Sequence, residues 1–451
     1  MKKNDLVRVE ITDQIQTGEG VGKAEGFPLF IKNAVIGDVI TARVTRINKS
    51  YGYGRLEELI RPSAFRVSPP CEAFPKCGGC QIMSMSYEGQ LAFKRKKVEE
   101  ALRRIGGFEN LQVEPVLGMQ EPLRYRNKAQ YPVGTDAEGR PAAGFYAGRS
   151  HRIIPMDDCV LSPALFGQIT KAVLEWMREN RISAYDEETG EGIVRHIFIR
   201  RGGKTGQTAV CLIVNSRKLP AQKALTEKLS AFPEITGISY SVNREKTNVI
   251  MTQKAVTVYG KPYIEDEING VTYRISPNSF FQVNPLQTDV LYEKALEAAG
   301  LTGTETVWDV YCGIGSISLQ LAKKAKKVYG VEIVPEAIED ARENARINGL
   351  DNTEFFCGKA EEVLPKLYEQ RKIKADVIVV DPPRKGCEKA VLDTISAMSP
   401  ERIVYVSCDP ATLARDLKYL AGQGWTPVLV QPVDMFPMTV HIENVCCLVR
   451  R

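Results

Sequence analysis

The run Ser407-Cys408-Asp409-Pro410 sets a thiol where a nucleophile can be made. Ahead of it, Ile403, Val404, Tyr405 and Val406 form an apolar run that reads as a short buried strand. Asp409 and Pro410 then suit the N-cap and first position of a helix. Cys408 thus stands at a strand-to-helix corner beside the positive end of a helix dipole, where its pKa is expected to fall from about 8.5 towards neutral. The later stretch Asp434-Met435-Phe436-Pro437-Met438-Thr439-Val440-His441-Ile442-Glu443 offers Glu443 as a general base. None of the three histidines pairs persuasively with Cys408, which weakens proteolytic and acyl-transfer readings.

A second group of thiols has a different spacing. Cys71 is followed by Cys77-Gly78-Gly79-Cys80, with Cys159 far downstream. Clustered thiols with glycine pairs fit thiolate ligation of one metal centre. The spacing lacks the paired C-x-x-C of zinc ribbons and the tighter triad of radical enzymes. A [4Fe–4S] cluster is expected, with zinc as the alternative, since four thiolates also satisfy tetrahedral Zn²⁺. Eleven cysteines in a chain expected to be cytosolic argue against a disulfide framework. Cys312, Cys357, Cys446 and Cys447 fall in strand-like or packed contexts that suit small buried thiols.

Regular strand–helix alternation from Thr306 onward would position the chemistry. Thr306 to Val310 is an apolar strand ending in Tyr311-Cys312-Gly313-Ile314-Gly315-Ser316, and a helix follows through Leu319, Leu321 and Ala322. The next strand, Val328 to Glu332, ends in an acid suited to ribose hydroxyls. Ser318 stands where a third glycine would be, which disfavours a dinucleotide. Thr353 to Cys357, Asp376 to Val380 and the Cys408 strand add further βα units. Ligands of open α/β sheets bind at the carboxyl ends of the strands, so Gly315, Glu332, Asp381 and Cys408 should share one edge. Asp381-Pro382-Pro383 is followed by Arg384 rather than by an aromatic that would stack on a base. That favours a carbon target. Pyrimidine C5 becomes nucleophilic only after addition at C6, which Cys408 could perform, with Cys387 the less favoured candidate.

The remaining sequence bounds the molecule. A length of 451 residues allows about three domains, and 43% hydrophobic with 25% charged residues is ordinary for a globular protein. There is no apolar run of the ~18 residues that a membrane span requires, and no apolar segment follows Met1-Lys2-Lys3-Asn4-Asp5. A cytoplasmic location is expected. Net charge is +5, but residues 61–155 hold 15 basic and 9 acidic side chains, an excess that permits nucleic-acid contact. Residues 1–62 alternate short β-like runs with glycine turns, the pattern of a small OB-like barrel. A helix over Glu88–Arg104 carries Lys94-Arg95-Lys96-Lys97 and Arg103-Arg104, a face that is either solvated or on RNA phosphates. Arg124-Tyr125-Arg126-Asn127-Lys128 interleaves basic and aromatic groups, suited to phosphate contact and base stacking, and Phe145-Tyr146 with Arg149-Ser150-His151-Arg152 continues the theme. Gly203-Lys204-Thr205 ends like a phosphate-binding loop, but Phe198 replaces its first glycine, so nucleotide triphosphate binding is rejected.

In order along nearly the whole chain stand Cys71…Cys77-Gly78-Gly79-Cys80…Cys159, Ser279-Phe280-Phe281-Gln282-Val283-Asn284, Tyr311-Cys312-Gly313-Ile314-Gly315, Asp381-Pro382-Pro383-Arg384, Ser407-Cys408-Asp409-Pro410 and Asp434 to Glu443. Together they resemble the RNA uracil-C5 methyltransferase family, its 23S ribosomal RNA branch rather than its transfer-RNA branch. The N-terminal barrel resembles a TRAM domain, and Asp309, Gly313 and Gly315 resemble motif I of class I methyltransferases.

The resemblance implies an α/β multidomain protein. Residues 1–62 would form a TRAM/OB-like RNA-binding barrel. Residues 63–272 would form a central α+β domain with the four-cysteine site, part of it packing on the catalytic domain. Residues 273–451 would form a Rossmann-like domain dependent on S-adenosylmethionine. Gln282, Tyr311, Gly313, Glu332 and Asp381 would bind that donor, Cys408 would add to uracil C6, Glu443 would act as base, and Cys71, Cys77, Cys80 and Cys159 would hold a [4Fe–4S] cluster. The barrel and the cysteines are expected to separate ribosomal from transfer-RNA enzymes. The product would be 5-methyluridine in 23S rRNA, made by a monomer without a membrane partner. The alternatives are uracil-C5 methylation of tRNA, cytosine-C5 methylation of RNA, and a non-catalytic iron–sulfur RNA-binding protein.

Overall fold

The computed structural model describes residues 1–148, 150–247 and 249–450, so Arg149 of the basic stretch lies outside the described residues. The first five strands, β1 (Leu6–Gln14), β2 (Gly20–Ala24), β3 (Phe27–Lys32), β4 (Val39–Ile47) and β5 (Gly52–Arg61), close into a barrel of order β1-β2-β3-β5-β4. Val9, Ile11, Leu29, Ile31, Ile40 and Val44 fill it. Gly22 allows β1 and β2 to approach, since a Cβ there would lie 2.3 Å from the Glu10 carbonyl. Buried Asp38 accepts from the Val35 amide at 2.7 Å, the Ser63 amide at 2.9 Å and the Arg66 guanidinium. One carboxylate therefore ties the outgoing linker to the barrel.

After α1 (Tyr87–Ala101) comes a seven-stranded central sheet of order β12-β11-β10-β9-β6-β7-β8. Its elements are β6 (Lys128–Thr135), β7 (Pro141–Tyr146), β8 (Ile153–Pro155), α2 (Ala164–Glu179), β9 (Val194–Arg201), β10 (Thr208–Val214), α3 (Gln222–Leu229), β11 (Ile235–Val242) and β12 (Val256–Gly260). Side chains alternate across a strand. Ala129, Tyr131, Ile197, Ile199, Val210 and Leu212 point to the face covered by α2 and α3.

The hairpin of β13 (Ile264–Ile268) and β14 (Val271–Ile275) straddles residue 272 and packs both strands into the core of the C-terminal sheet. Then follow α4 (Pro285–Ala299), β15 (Thr306–Val310), α5 (Ser316–Ala322), β16 (Lys327–Glu332), α6 (Pro335–Ile347), β17 (Thr353–Cys357), α7 (Ala360–Arg371), β18 (Val377–Val380), α8 (Lys389–Met398), β19 (Arg402–Ser407), α9 (Pro410–Ala421), β20 (Trp425–Val433) and β21 (Glu443–Arg450). The sheet order is β17-β16-β15-β18-β19-β21-β20. Pairing is parallel from β17 to β19, and β21 runs antiparallel to both β19 and β20. Separate cores on its two faces, one with Leu291, Leu319 and Ile338 and one with Leu364, Val391 and Leu413, make this a doubly wound sheet. Strand order reverses between β15 and β18, the switch point at which such sheets bind ligands.

Val98, Ala101, Leu102 and Val113 join the α9 face of this sheet. Beyond them, the Glu114 and Leu117 amides donate to the carbonyls of Val430 and Pro432, adding a short extension outside β20. No helix among the described residues is long and apolar enough to cross a membrane.

Candidate active site

Cys408 follows the last residue of β19 and precedes α9. Asp409 caps that helix, its Oδ1 accepting from the Ala411 amide at 2.8 Å and the Thr412 amide at 3.2 Å. The corner forms as the sequence predicts. The expected activation does not follow: the Cys408 thiol is pushed up to about 12. Burial contributes most, then the carboxylates of Glu443 and Asp381, while Arg384 opposes them. The helix amides are occupied by the Asp409 carboxylate, which itself adds negative charge beside the thiol.

Glu443 reaches Cys408 through strand register. β21 pairs antiparallel with β19, Ser407 opposite Asn444, so continuation by one residue sets Glu443 across from Cys408. The Asn444 amide donates to the Ser407 carbonyl at 3.2 Å and fixes that register. Glu443 is buried, and burial together with Asp381 drives its pKa well above the ordinary carboxylate range, against the pull of Arg384. Asp381, at the end of β18, is pushed up to about 7 by burial and by Asp309. Asp309, on β15, is likewise pushed up to about 7 by burial, although the Ser318 hydroxyl donates to it. Glu332, Asp309 and Asp381 thus lie on or just after the adjacent strands β16, β15 and β18 at the switch point, and Glu443 lies beyond the Cys408 strand on β21.

The remaining candidates occupy the rim. Tyr311 takes the left-handed conformation at φ 73°, an unusual backbone for a bulky residue, and its ring packs towards buried Cys387. Cys387 lies beneath Tyr311 and Tyr405, its amide donating to Asp416 at 2.9 Å, so it packs rather than faces the edge. The Gly313 amide donates to Glu332 Oε2 at 3.2 Å, and the Val334 amide to Oε1 at 2.9 Å. This holds Glu332 at the glycine turn. Gln282 is buried and makes no side-chain hydrogen bond to the acid row among the described residues; its carbonyl accepts from Asn127 at 3.2 Å. Phe280, two residues earlier, is 67% exposed.

One element at this site was not legible as such: the strap 434–440 between β20 and β21, held carbonyl by carbonyl. Gln287 donates to the Asp434 carbonyl at 3.1 Å, Asn284 to Met435 at 3.1 Å, Lys94 to Phe436 at 3.0 Å, Tyr125 to Pro437 at 3.0 Å and Lys97 to Val440 at 2.8 Å. Lys94 is 0% exposed and forms an ion pair of 2.6 Å with Asp434, which also accepts from Tyr87 at 3.0 Å. The basic face of α1 is therefore mostly engaged in docking: Lys94 and Lys97 hold the strap, and Lys96 meets Asp13 of the barrel at 2.7 Å. A sequence signal existed, since Gln90, Lys94, Val98 and Ala101 share one buried helical face.

The strap also borders the second thiol group. Cys71, Cys77, Cys80 and Cys159 line one cavity of about 160 Å³ with Arg126 and Thr439. Burial raises the pKa of Cys77, Cys80 and Cys159, and neighbouring thiols add to it. Cys77 Sγ accepts from the Gly79 amide at 3.4 Å. Among the described residues no group of three or more such side chains is arranged to hold a single metal ion. Arg124, expected on RNA, instead pairs with Asp158 and donates to the Cys159 and Ser162 carbonyls at 3.0 and 2.9 Å. Tyr125 is buried and cannot stack on a base.

Residues 219–451 match the family described as tRNA (uracil-5-)-methyltransferase, and residues 2–56 match the TRAM domain. An uncharacterized RNA methyltransferase of Listeria innocua is 51% identical over 99% of this chain and 98% of its own length. One from Halalkalibacterium halodurans is also 51% identical, over the same shares. The solved structure of the Pyrococcus abyssi tRNA (uracil-54, C5)-methyltransferase in complex with S-adenosyl-L-homocysteine matches with a TM-score of 0.80 and 30% identity, covering 98% of this chain and 100% of that one. A tRNA enzyme thus spans the barrel and central sheet, so those regions do not separate ribosomal from transfer-RNA enzymes.

Proposed function

Because this chain belongs to the tRNA (uracil-5-)-methyltransferase family, with a TRAM domain at its N-terminus, we propose that it methylates C5 of a uridine in 23S rRNA through covalent addition of Cys408. The observation that carries this reading is the β19–β21 register, which sets Glu443 opposite Cys408 on the edge that also bears Asp381 and Glu332. S-Adenosylmethionine, when bound, supplies the electrophilic methyl group. The carboxylate-lined edge fits a cationic nucleoside: Glu332 Oε1 and Oε2 each accept one backbone amide and retain lone pairs for ribose hydroxyls, and Asp381 and Asp309, pushed up to about 7, would be drawn to their charged forms by a nearby positive charge. Gln282, Tyr311 and Gly313 complete that binding rim.

The target base leaves its stack to reach the thiol. Cys408 gives its proton to solvent water, and Sγ bonds to C6 while the C5=C6 pair shifts to C5; C5 takes the methyl group as the S–CH3 bond of the donor breaks, its electron pair staying on sulfur so that S-adenosylhomocysteine leaves. Glu443, as carboxylate, then removes the C5 proton; the C–H pair restores C5=C6 and the C6–Sγ bond breaks to return the thiolate. Burial and Asp381 favour the protonated form of Glu443, and a positive charge nearby would favour the carboxylate that serves as base.

Cys71, Cys77, Cys80 and Cys159 would hold a [4Fe–4S] cluster. The observation that supports this is that the four thiols line one cavity. Methyl transfer involves no electron transfer, so the cluster's role is structural, and a colourless zinc protein would reject it. The three domains, the monomeric state and the cytoplasmic location belong to the same proposal.

The Pyrococcus likeness favours tRNA as the second substrate reading. Incubation with 5-fluorouridine RNA should give a covalent adduct that Cys408→Ala abolishes, and intact protein without an adduct rejects the mechanism. Methylation mapping of 23S rRNA and tRNA from a deletion strain decides the substrate: a 5-methyluridine lost from tRNA alone rejects the ribosomal reading.

A further inference from the structure

On the central sheet, β6 and β9 pair antiparallel with Lys128 opposite Arg200. Their neighbours Ala129 and Ile199 point into the core beneath α2 and α3, so Lys128 and Arg200 share the other face. Like charges directly opposite each other destabilise a sheet, and buried charges are ordinarily paired. Arg200 is 2% exposed, its two terminal nitrogens donating to the Ser276 and Ser279 carbonyls at 2.7 and 2.9 Å while its Nε finds no acceptor. Arg126 stands beside them, donating to the Lys128 carbonyl at 3.1 Å. The Lys128 ammonium makes no ion pair with any described residue. Burial, then Arg200 and Arg126, push its pKa down to about 8, and no acid offsets them.

Three cations with no acid among the described residues as ion-pair partner describe a place built for an anion. The adjacent groups say which kind. Ser276 and Ser279, gripped by Arg200, lead into exposed Phe280, and Asn127 beside Lys128 holds the Gln282 and Val283 carbonyls. A basic groove flanked by an exposed aromatic ring is the usual means of holding a single nucleic-acid strand. We propose that Lys128 and Arg126, with the buried charge of Arg200 behind them, form a subsite for one phosphodiester of the RNA substrate, anchoring the strand beside the loop that carries Phe280 and Gln282. Resting on the RNA-methyltransferase reading, it locates a backbone contact on the central sheet, away from the reacting atoms.

The test is equilibrium binding of a short oligouridine to the full-length, iron-loaded protein without methyl donor, measured by anisotropy across a salt series. Each phosphate contact on a single strand contributes about 0.7 to the slope of log affinity against log salt. Lys128→Met should lower that slope by about 0.7, and Lys128→Arg should keep it. Lys223→Met, on α3 over the opposite face, should also leave it unchanged. Relief of repulsion from Arg200 should raise the melting temperature of Lys128→Met, which separates a subsite from a structural lysine. An unchanged slope in Lys128→Met overturns the subsite, whether or not donor binding weakens. Wild-type protein that binds no RNA would reject the RNA reading itself, a different outcome.

Discussion

Burial raises the pKa of thiols in two places in this molecule, but the charges around them differ. Cys408 stands alone among carboxylates, with Arg384 as the opposing cation. The thiols of Cys77, Cys80 and Cys159 are raised by burial and by one another, with Arg126 acting on Cys80. Four mutually repelling thiolates are stable only once a metal centre takes up their charge, which suits permanent ligands. A single thiol beside titratable acids can release its proton when charge nearby changes and recover it afterwards, which suits a nucleophile that must also leave. The strap joins the two: Thr439 borders the cysteine cavity, and four residues later Glu443 faces Cys408.

The comparison breaks most visibly at Glu443. Glu443→Gln should lower turnover by about 10²–10⁴-fold and accumulate methylated adduct on 5-fluorouridine-free RNA. Normal turnover by that variant removes Glu443 from its role. At the junction, Lys94→Met leaves Asp434 buried without its cation and should cost about 3–5 kcal/mol, whereas Lys94→Met with Asp434→Leu should recover much of it. Urea unfolding measures both, and a silent single variant would show that the strap tolerates loss of its ion pair.

Arg384→Met should slow alkylation of Cys408 at pH 8, since Arg384 holds the thiol's pKa down and its loss leaves less thiolate. Alkylation of the cavity cysteines in metal-free protein should not change. The smallest effect is on stability. Asp381 binds its proton near pH 7 when folded and near 3.8 when unfolded. Between those values the folded chain holds the extra proton, so stability should fall as pH rises through the window. Asp381→Asn should flatten that dependence in urea midpoints.

Local features were legible in the sequence. The strands ending at Val310, Glu332, Cys357 and Ser407 stand where apolar runs meet glycine, proline or acid, and Asp409 caps α9 as its residue type demands. Non-local features were not. The thiol's raised pKa depends on β21 returning antiparallel beside β19, a pairing that no local pattern encodes. Lys94 lies at the centre of a buried helical face, but its charge reads as surface until Asp434 is found opposite. Arg124 and Tyr125 read as RNA contacts because their types suit RNA, while their partners Asp158 and Pro437 lie elsewhere in the chain.

The strap also bears on how the chain acquires activity during synthesis. The side chains that hold its carbonyls and amides come from positions 147 to 359 residues earlier, from Gln287 back to Gln81. Contacts of such separation close slowly and late. On a ribosome, where folding proceeds from the N-terminus, every partner is already present when residues 434–440 emerge. The barrel and central sheet can therefore acquire their own cores first, while Glu443 reaches Cys408 only after the strap has found them. Partly made chains could bind RNA without modifying it, and competence to methylate would arrive in a single late step.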